Sequence, residues 1–516
     1  MASRLATLRC WRSLLQRAPI RPPATSSSSV LGTFVSLRCK YTESSKYKGF
    51  KGKFQAKATV DGGEEEPSPE VDLDDAEYDA VANSAMNVQK RLQNEQHVLI
   101  IQPYVKWGPK KAATEPEHQL QEAEALVRSL PRWTIEHSLK VPLESLEKRQ
   151  LFGTGKLEEL KTTLRNLQSA GKLVTCVFIS KGTLTFSQKQ LLEQHFKLPV
   201  MDRYSVVIQI LRLHAISTEA KLQVAMAEIP YIWSQLKDQD GKGGRVYLSE
   251  SQKQMLRLRE RKLKNQLTAI RSHRELLRNK RKQKAYPIVA VVGYTNAGKT
   301  SLIKALTEEE SLQPRNQLFA TLDVTAHAGL LPCKLEVLFM DTVGFMADIP
   351  TGLIECFVAT LEDAMFADLI VHVQDVSHPN HQEQKNHVET TLASLLKSTG
   401  TNQTPNVINV GNKVDLLPDN NPPPNLHLVS SKTLAGVNDL LGEIERNLLQ
   451  TTGRQRIVIR VPMGGPEVAW LYKNAAVTET VADPDDSQRM LVSAVITDAK
   501  LAQFRHQFVA GRKRGV

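Results

Sequence analysis

Cysteine is scarce in this chain. There are five in 516 residues, Cys10, Cys39, Cys176, Cys333 and Cys356, and no two stand close enough to form a C-x-x-C pair. That spacing argues against a cysteine-based zinc or redox site and fits a reducing compartment. Long apolar runs are missing too. None approaches the roughly 18 residues that a bilayer-spanning helix needs, so no membrane span is expected. Acidic residues are absent before Glu43, although Arg4, Arg9, Arg12, Arg17, Arg21 and Arg38 all fall in that stretch, together with the serine run Ser26 to Ser29.

The acid-free leader has a second property. Leu5, Leu8, Trp11 and Leu15 recur at helical spacing, and arginines occupy much of the remaining surface. A basic amphipathic helix with no acids is what import driven by membrane potential requires, so residues 1–41 read as a mitochondrial transit peptide and the matrix as its destination. A disordered basic tail is the other reading. Residues 42–94 then turn acidic, with Glu64-Glu65-Glu66, Asp72, Asp74 and Asp75 around Pro67 and Pro69, as in a disordered linker.

The chemistry begins at Gly293-Tyr294-Thr295-Asn296-Ala297-Gly298-Lys299-Thr300, which fits G-x-x-x-x-G-K-[ST] and follows the apolar run Ile288 to Val292. A buried strand feeding a glycine loop lets backbone N–H groups approach phosphates, while Lys299 reaches the β and γ oxygens and Thr300 meets Mg²⁺. Leu335 to Met340 leads into Asp341-Thr342-Val343-Gly344, a second strand that delivers Asp341 to the metal through a water and the Gly344 N–H to the γ-phosphate. Asn406 to Val410 runs into Gly411-Asn412-Lys413-Val414-Asp415, where a carboxylate accepts two hydrogen bonds from guanine that adenine cannot donate. Ser430-Ser431-Lys432 closes over the base. GTP with Mg²⁺ is the expected ligand.

Thr321, within Leu318-Phe319-Ala320-Thr321-Leu322-Asp323, is the candidate switch threonine for Mg²⁺, and Thr325 competes with it. Lys299, Thr321 and Gly344 form the expected catalytic set. The residue after Gly344 is Phe345, at the position where many GTPases carry a water-orienting glutamine. A phenyl ring cannot orient water, so intrinsic hydrolysis should be of the order of 10⁻³ s⁻¹ or slower unless a partner completes the site; His327 and His372 are alternatives within the chain.

The formal charge is +12, and it is concentrated. Between Gln252 and Lys284 there are 13 Lys or Arg residues against Glu260 and Glu275, a net of 13 − 2 = +11. Leu256, Leu263, Ile270 and Leu277 recur every seven residues there, and Leu222, Met226, Ile229, Trp233 and Leu236 form a stripe ahead of them. Two stripes joined by the glycine-rich loop 238–250 predict an antiparallel helical hairpin, with Pro230 kinking or breaking its first helix. Acids would balance the bases of a merely solvated face, so the arm reads as a nucleic-acid contact. Two weaker features remain. Gly153-Thr154-Gly155-Lys156 opens a helix, either as a plain turn or as a phosphate site, and His378, His381 and His387 cluster without cysteine partners.

The expected architecture is α/β: an N-terminal α/β domain at 95–217, the basic hairpin at 218–285, a P-loop GTPase domain with a mostly parallel sheet at 286–452, and a small α+β domain at 453–516. In Gly293 to Lys299, Leu318 to Asp323, Asp341 to Phe345, Asp202-Arg203 and Glu219-Ala220-Lys221-Leu222-Gln223-Val224, the chain resembles the HflX family of GTPases, most closely its mitochondrial members. The resemblance implies a monomer that binds the large mitoribosomal subunit and its rRNA and separates ribosomal subunits with GTP. It also implies that an apolar residue at Phe345 is ordinary and that ribosome contact speeds hydrolysis. The Gly-Pro-Gly-Glu-type loop of bacterial relatives is replaced by Gly243-Gly244-Arg245-Val246-Tyr247-Leu248-Ser249-Glu250. A maturation factor for the large subunit is the first alternative, and an ATP-dependent RNA-remodelling enzyme using Gly153 to Lys156 is the second.

Overall fold

The structure is a computed structural model. It describes residues 95–108, 114–236, 250–284, 286–314, 318–319, 321, 324–347, 365–399, 406–417 and 426–510, the side chains of 275, 277–284, 396, 398–399 and 510 excepted. The readings of 1–41 and 42–94, of most of the loop 238–250, and of Ala320, Leu322 and Asp323 lie outside the described residues.

The N-terminal domain alternates strand and helix: β1 Gln96–Val105, α1 Pro116–Arg128, β2 Trp133–Leu143, α2 Thr154–Ser169, β3 Cys176–Ile179, α3 Phe186–Phe196, β4 Val200–Asp202 and α4 Arg203–His214. Its sheet has the order β2-β1-β3-β4, with every pair parallel. Parallel strands need crossover helices on both faces. The central strand obliges, with Val98, Leu99, Ile100 and Ile101 all fully buried. Gly153 precedes α2 at its N-cap, and Lys156 pairs with Glu159 of the same helix at 2.7 Å. The lysine of the Gly-x-Gly-Lys stretch is thus engaged by its own helix.

Next come α5 Thr218–Leu236 and α6 Glu250–Lys284, packed on each other as the hairpin expected from their stripes. Of the kink or break expected at Pro230, the break is absent: α5 runs on through it. Pro230 is exposed, and one turn earlier the Tyr204 hydroxyl donates to the Ala227 carbonyl at 2.6 Å. Leu256 and Leu263 of α6 are buried against α5.

The central domain contains β5 Ile288–Gly293, α7 Lys299–Thr307, β6 Thr325–Leu330, β7 Glu336–Asp341, β8 Leu369–Asp375, α8 His381–Thr399, β9 Asn406–Asn412, β10 His427–Leu428 and α9 Val437–Thr451. The sheet order is β10-β9-β8-β5-β7-β6. All pairs are parallel except β6 with β7, an edge strand that hydrophobic patterning did not reveal. The C-terminal module comprises β11 Arg454–Pro462, α10 Pro466–Asn474, β12 Ala476–Ala482, β13 Arg489–Thr497 and α11 Asp498–Phe504, an α+β unit. Its antiparallel sheet β11-β13-β12 packs on Trp470, Phe504 and Phe508.

One apolar core joins the first two parts to the third. Val98, Leu126, Val207, Leu222 and Leu256 belong to the same buried cluster as Val292, Phe319, Phe345, Met346 and Ile370. No described helix is long and apolar enough to cross a membrane.

Candidate functional site

β5 is buried along its length and ends in the loop Tyr294–Gly298, after which α7 starts at Lys299. Gly298 has φ +92°, and a Cβ there would stand 2.3 Å from Asn412 Nδ2. Only glycine admits both that backbone and that neighbour. Asn412 uses the space to donate to the Ala297 carbonyl at 3.0 Å, tying the loop to the end of β9. Lys299 Nζ donates to the Tyr294 carbonyl at 3.1 Å and lies 3.4 Å from that of Gly293. Burial lowers the Lys299 pKa to about 8, against the opposing pull of Asp341. Thr295 is buried, whereas Asn296 is exposed with φ +61°.

Below the loop, oxygens converge. Thr300 Oγ1 donates to Asp341 Oδ2 at 2.6 Å and Thr321 Oγ1 does so at 3.1 Å, with the two hydroxyl oxygens 3.1 Å apart. Asp341 Oδ1 is buried and has no hydrogen-bond partner among the described residues. Burial raises the carboxyl's pKa, while Lys299 and the two hydroxyls pull it down. An orphaned carboxylate oxygen beside two hydroxyls is an all-oxygen donor set, and it fits a hard cation such as Mg²⁺. Thr325, the competing threonine, instead meets His327 Nε2 at 2.9 Å, and His327 Nδ1 meets Glu309 at 2.8 Å. Both ring nitrogens of His327 are therefore engaged. His372 is buried within the sheet, and burial lowers its pKa to about 4.

Thr342 Oγ1 donates to the Val291 carbonyl at 2.8 Å, Val343 is buried, and Gly344 lies against the loop. A Cβ on Gly344 would stand 2.8 Å from Thr295 Cα and 3.0 Å from Lys299 Nζ, so this approach also requires glycine. Phe345 is then held by its backbone: its N–H donates to the Gly293 carbonyl at 3.1 Å and its carbonyl accepts from Thr295 N–H at 2.7 Å. Its ring is 6% exposed, within the shared core.

At the other end of the loop, Asn412 Oδ1 accepts from Ser431 N–H at 3.1 Å and from the Ser431 hydroxyl at 2.9 Å, while Ser430 Oγ donates to Asp415 Oδ1 at 2.7 Å. Asp415 and Lys432 are exposed, Val414 is half-buried, and Lys413 has φ +66°. Phe319 is buried with φ +54°. The segments 293–300, 341–345, 412–415 and 430–431, with Thr321, thus gather along one edge of the sheet.

Sequence reasoning missed a seam between the N-terminal and central domains. Tyr294 Oη donates to Glu122 of α1 at 2.7 Å and accepts from Ala347 N–H at 2.9 Å; Glu122 also pairs with buried Arg203 at 2.8 Å. His387 Nε2 lies 3.0 Å from the Met346 carbonyl, and the His118 and His378 rings stand 6.1 Å apart. Of the clustered histidines, His378 faces this seam and His387 holds the segment after Phe345 inside the central domain. Among the described residues no group of three His, Cys, Asp or Glu is placed to hold a metal ion. An unusual tyrosine within a phosphate loop was the available signal; nothing local marked Glu122.

Along α6, Arg257, Arg261, Lys262, Lys264 and Arg271 are exposed, opposite Leu256 and Leu263. These basic side chains form a solvent face, and in the sequence the helix precedes by three residues the strand carrying the phosphate loop.

A parallel sheet whose first strand feeds this loop, with a buried acid under it and an Asn-Lys-x-Asp segment beside it, defines a P-loop GTPase. Three family profiles match the chain: "GTP-binding GTPase N-terminal" over residues 117–211, "GTP-binding GTPase Middle Region" over 214–281 and "50S ribosome-binding GTPase" over 288–413. Among curated relatives, GTP-binding protein 6 of Xenopus laevis is 40% identical over 434 residues, 81% of this chain and 80% of that one. Its Homo sapiens counterpart is 39% identical over 459 residues, 86% and 87% of the two chains. "GTPase HflX" of Caldanaerobacter subterraneus is 37% identical over 324 residues, 60% and 72%. The chain belongs to the HflX family of ribosome-binding GTPases.

Proposed function

We propose that this GTPase works in the mitochondrial matrix, where it binds the large mitoribosomal subunit through α6 and the N-terminal domain and, in its GTP state, separates the ribosomal subunits. The observation that carries the reading is the +11 arm of Gln252 to Lys284, which runs into the strand bearing the phosphate loop. An unbalanced basic helix favours a polyanion, and its coupling to a GTP site favours a timed release.

In this reading residues 293–300 bind the phosphates, Asn412, Lys413, Val414 and Asp415 with Ser430, Ser431 and Lys432 bind guanine, and 319–323 with 341–344 form the switches. Thr300 and Thr321 would hold Mg²⁺ directly and Asp341 through a water, and a cation held there would supply positive charge beside the phosphates. Lys299 adds a buried cation, and the Gly344 N–H faces the γ-phosphate. Phe345 supplies no water-orienting group, so the ribosome would have to complete the site.

Sedimentation of intact mitoribosomes after incubation with the protein and GTP should show free subunits. If none appear while the protein still co-sediments with the large subunit, the assembly role replaces the splitting role. Replacing Arg257, Arg261 and Lys262 by Gln should lower the slope of log K against log salt by about one per lost phosphate contact. An unchanged slope would remove α6 from the interface.

A further inference from the structure

Each residue of the Asn-Lys-x-Asp segment has a holder. Asn412 is fixed by Ala297 and Ser431, and Asp415 by Ser430, so both holders lie within segments already assigned to the nucleotide site. Lys413 is held from elsewhere: its Nζ stands 2.6 Å from Oδ2 of Asp375, the last residue of β8. The parallel register pairs Asp375 with Asn412, which brings the two strand ends side by side. The other oxygen, Asp375 Oδ1, accepts from the Ser377 hydroxyl at 2.5 Å and from Ser377 N–H at 3.1 Å, so the carboxylate is itself fixed before it meets the lysine. Lys413 also adopts a left-handed backbone, φ +66°, a conformation that a non-glycine residue keeps only where its surroundings hold it.

We infer that Asp375 is a positioning residue for the base site: by anchoring the Lys413 ammonium it holds the lysine's methylene stem as a fixed apolar edge against which the flat base settles. The inference rests on the assignment of Lys413 to the guanine site. A free lysine side chain must give up rotamer freedom when a ligand packs on it, and a stem tethered at its far end has surrendered that freedom beforehand. An ion pair that merely stitched two strand ends would contribute to folding and leave the nucleotide indifferent.

The test is a double-mutant cycle on the full-length protein, read as the dissociation rate of a fluorescent GDP analogue chased with unlabelled GDP. Lys413→Met should speed dissociation. Asp375→Asn should speed it about three- to tenfold in the wild-type background, have no further effect beside Lys413→Met, and be largely rescued by Asp375→Glu. An equal acceleration by Asp375→Asn in both backgrounds, or none in either, overturns the inference while leaving the base-site assignment standing. If Lys413→Met leaves the rate unchanged, the base-site assignment fails and the inference falls with it.

Discussion

Lys299 shows how one buried side chain sets a pH window. Its pKa is lowered to about 8 because the loop and sheet exclude water. An anionic ligand favours the charged form, so nucleotide binding above pH 8 must take up a proton, and affinity is lost as pH rises through that value. GDP affinity should be flat from pH 7 to 8 and fall towards a slope of tenfold per unit above it, with calorimetry in buffers of different ionisation enthalpy reporting proton uptake at pH 9. The stability of the nucleotide-free protein moves the other way. A lysine with a depressed folded pKa binds fewer protons than the unfolded chain between pH 8 and 10.5, so this group's contribution to stability rises with pH there. Phe345 gives a second prediction. Its ring is buried in the shared core, so Phe345→Gln should lower stability by roughly 2–3 kcal/mol, measured as a denaturation midpoint. The change should not raise single-turnover hydrolysis, because the backbone hydrogen bonds to Gly293 and Thr295 fix residue 345 whatever its side chain.

Between elements, the decisive contact is α1 against the phosphate loop. Tyr294 donates to Glu122 and accepts from Ala347, so Tyr294→Phe strips a partner from a half-buried carboxylate and from a backbone N–H at once. A loss of about 1–3 kcal/mol is expected. Glu122→Gln should cost a similar amount, and the double variant should cost clearly less than the sum, since both changes break the same relay. Chemical denaturation of the four proteins measures this. What the sequence made legible follows from range. β5, β7 and β9 announce themselves as the runs that lead into the site motifs, and α5 and α6 as stripes. The phosphate loop was legible because its glycines are demanded by φ and by close approach, as at Gly298. Edge strand β6 carries polar Thr325 and His327, whose partners are Glu309 and each other, and so reads as loop. Tyr294 and Glu122 lie 172 residues apart, and no local pattern pairs them.

For the molecule as a whole, the continuous core makes the N-terminal domain, the hairpin and the GTPase domain parts of one folding unit. Cutting between them would expose Phe319, Val343, Phe345 and Met346, all buried in that cluster. A fragment of residues 286–452 should therefore bind an apolar dye and unfold well below the intact protein. Intact protein should unfold across 95–452 in a single calorimetric transition. Two separated transitions, with an N-terminal domain surviving alone, would contradict this.

The length of α6 has a mechanical meaning. Thirty-five residues at 1.5 Å each make a rod of about 50 Å, and its C-terminal end meets the phosphate-loop strand after three residues. A change of about 5° in how that end sits would carry the far end through roughly 4 Å, more than a hydrogen bond's length. The γ-phosphate, an object of a few ångströms, would thereby acquire leverage over whatever meets the far end of the helix, about 50 Å away.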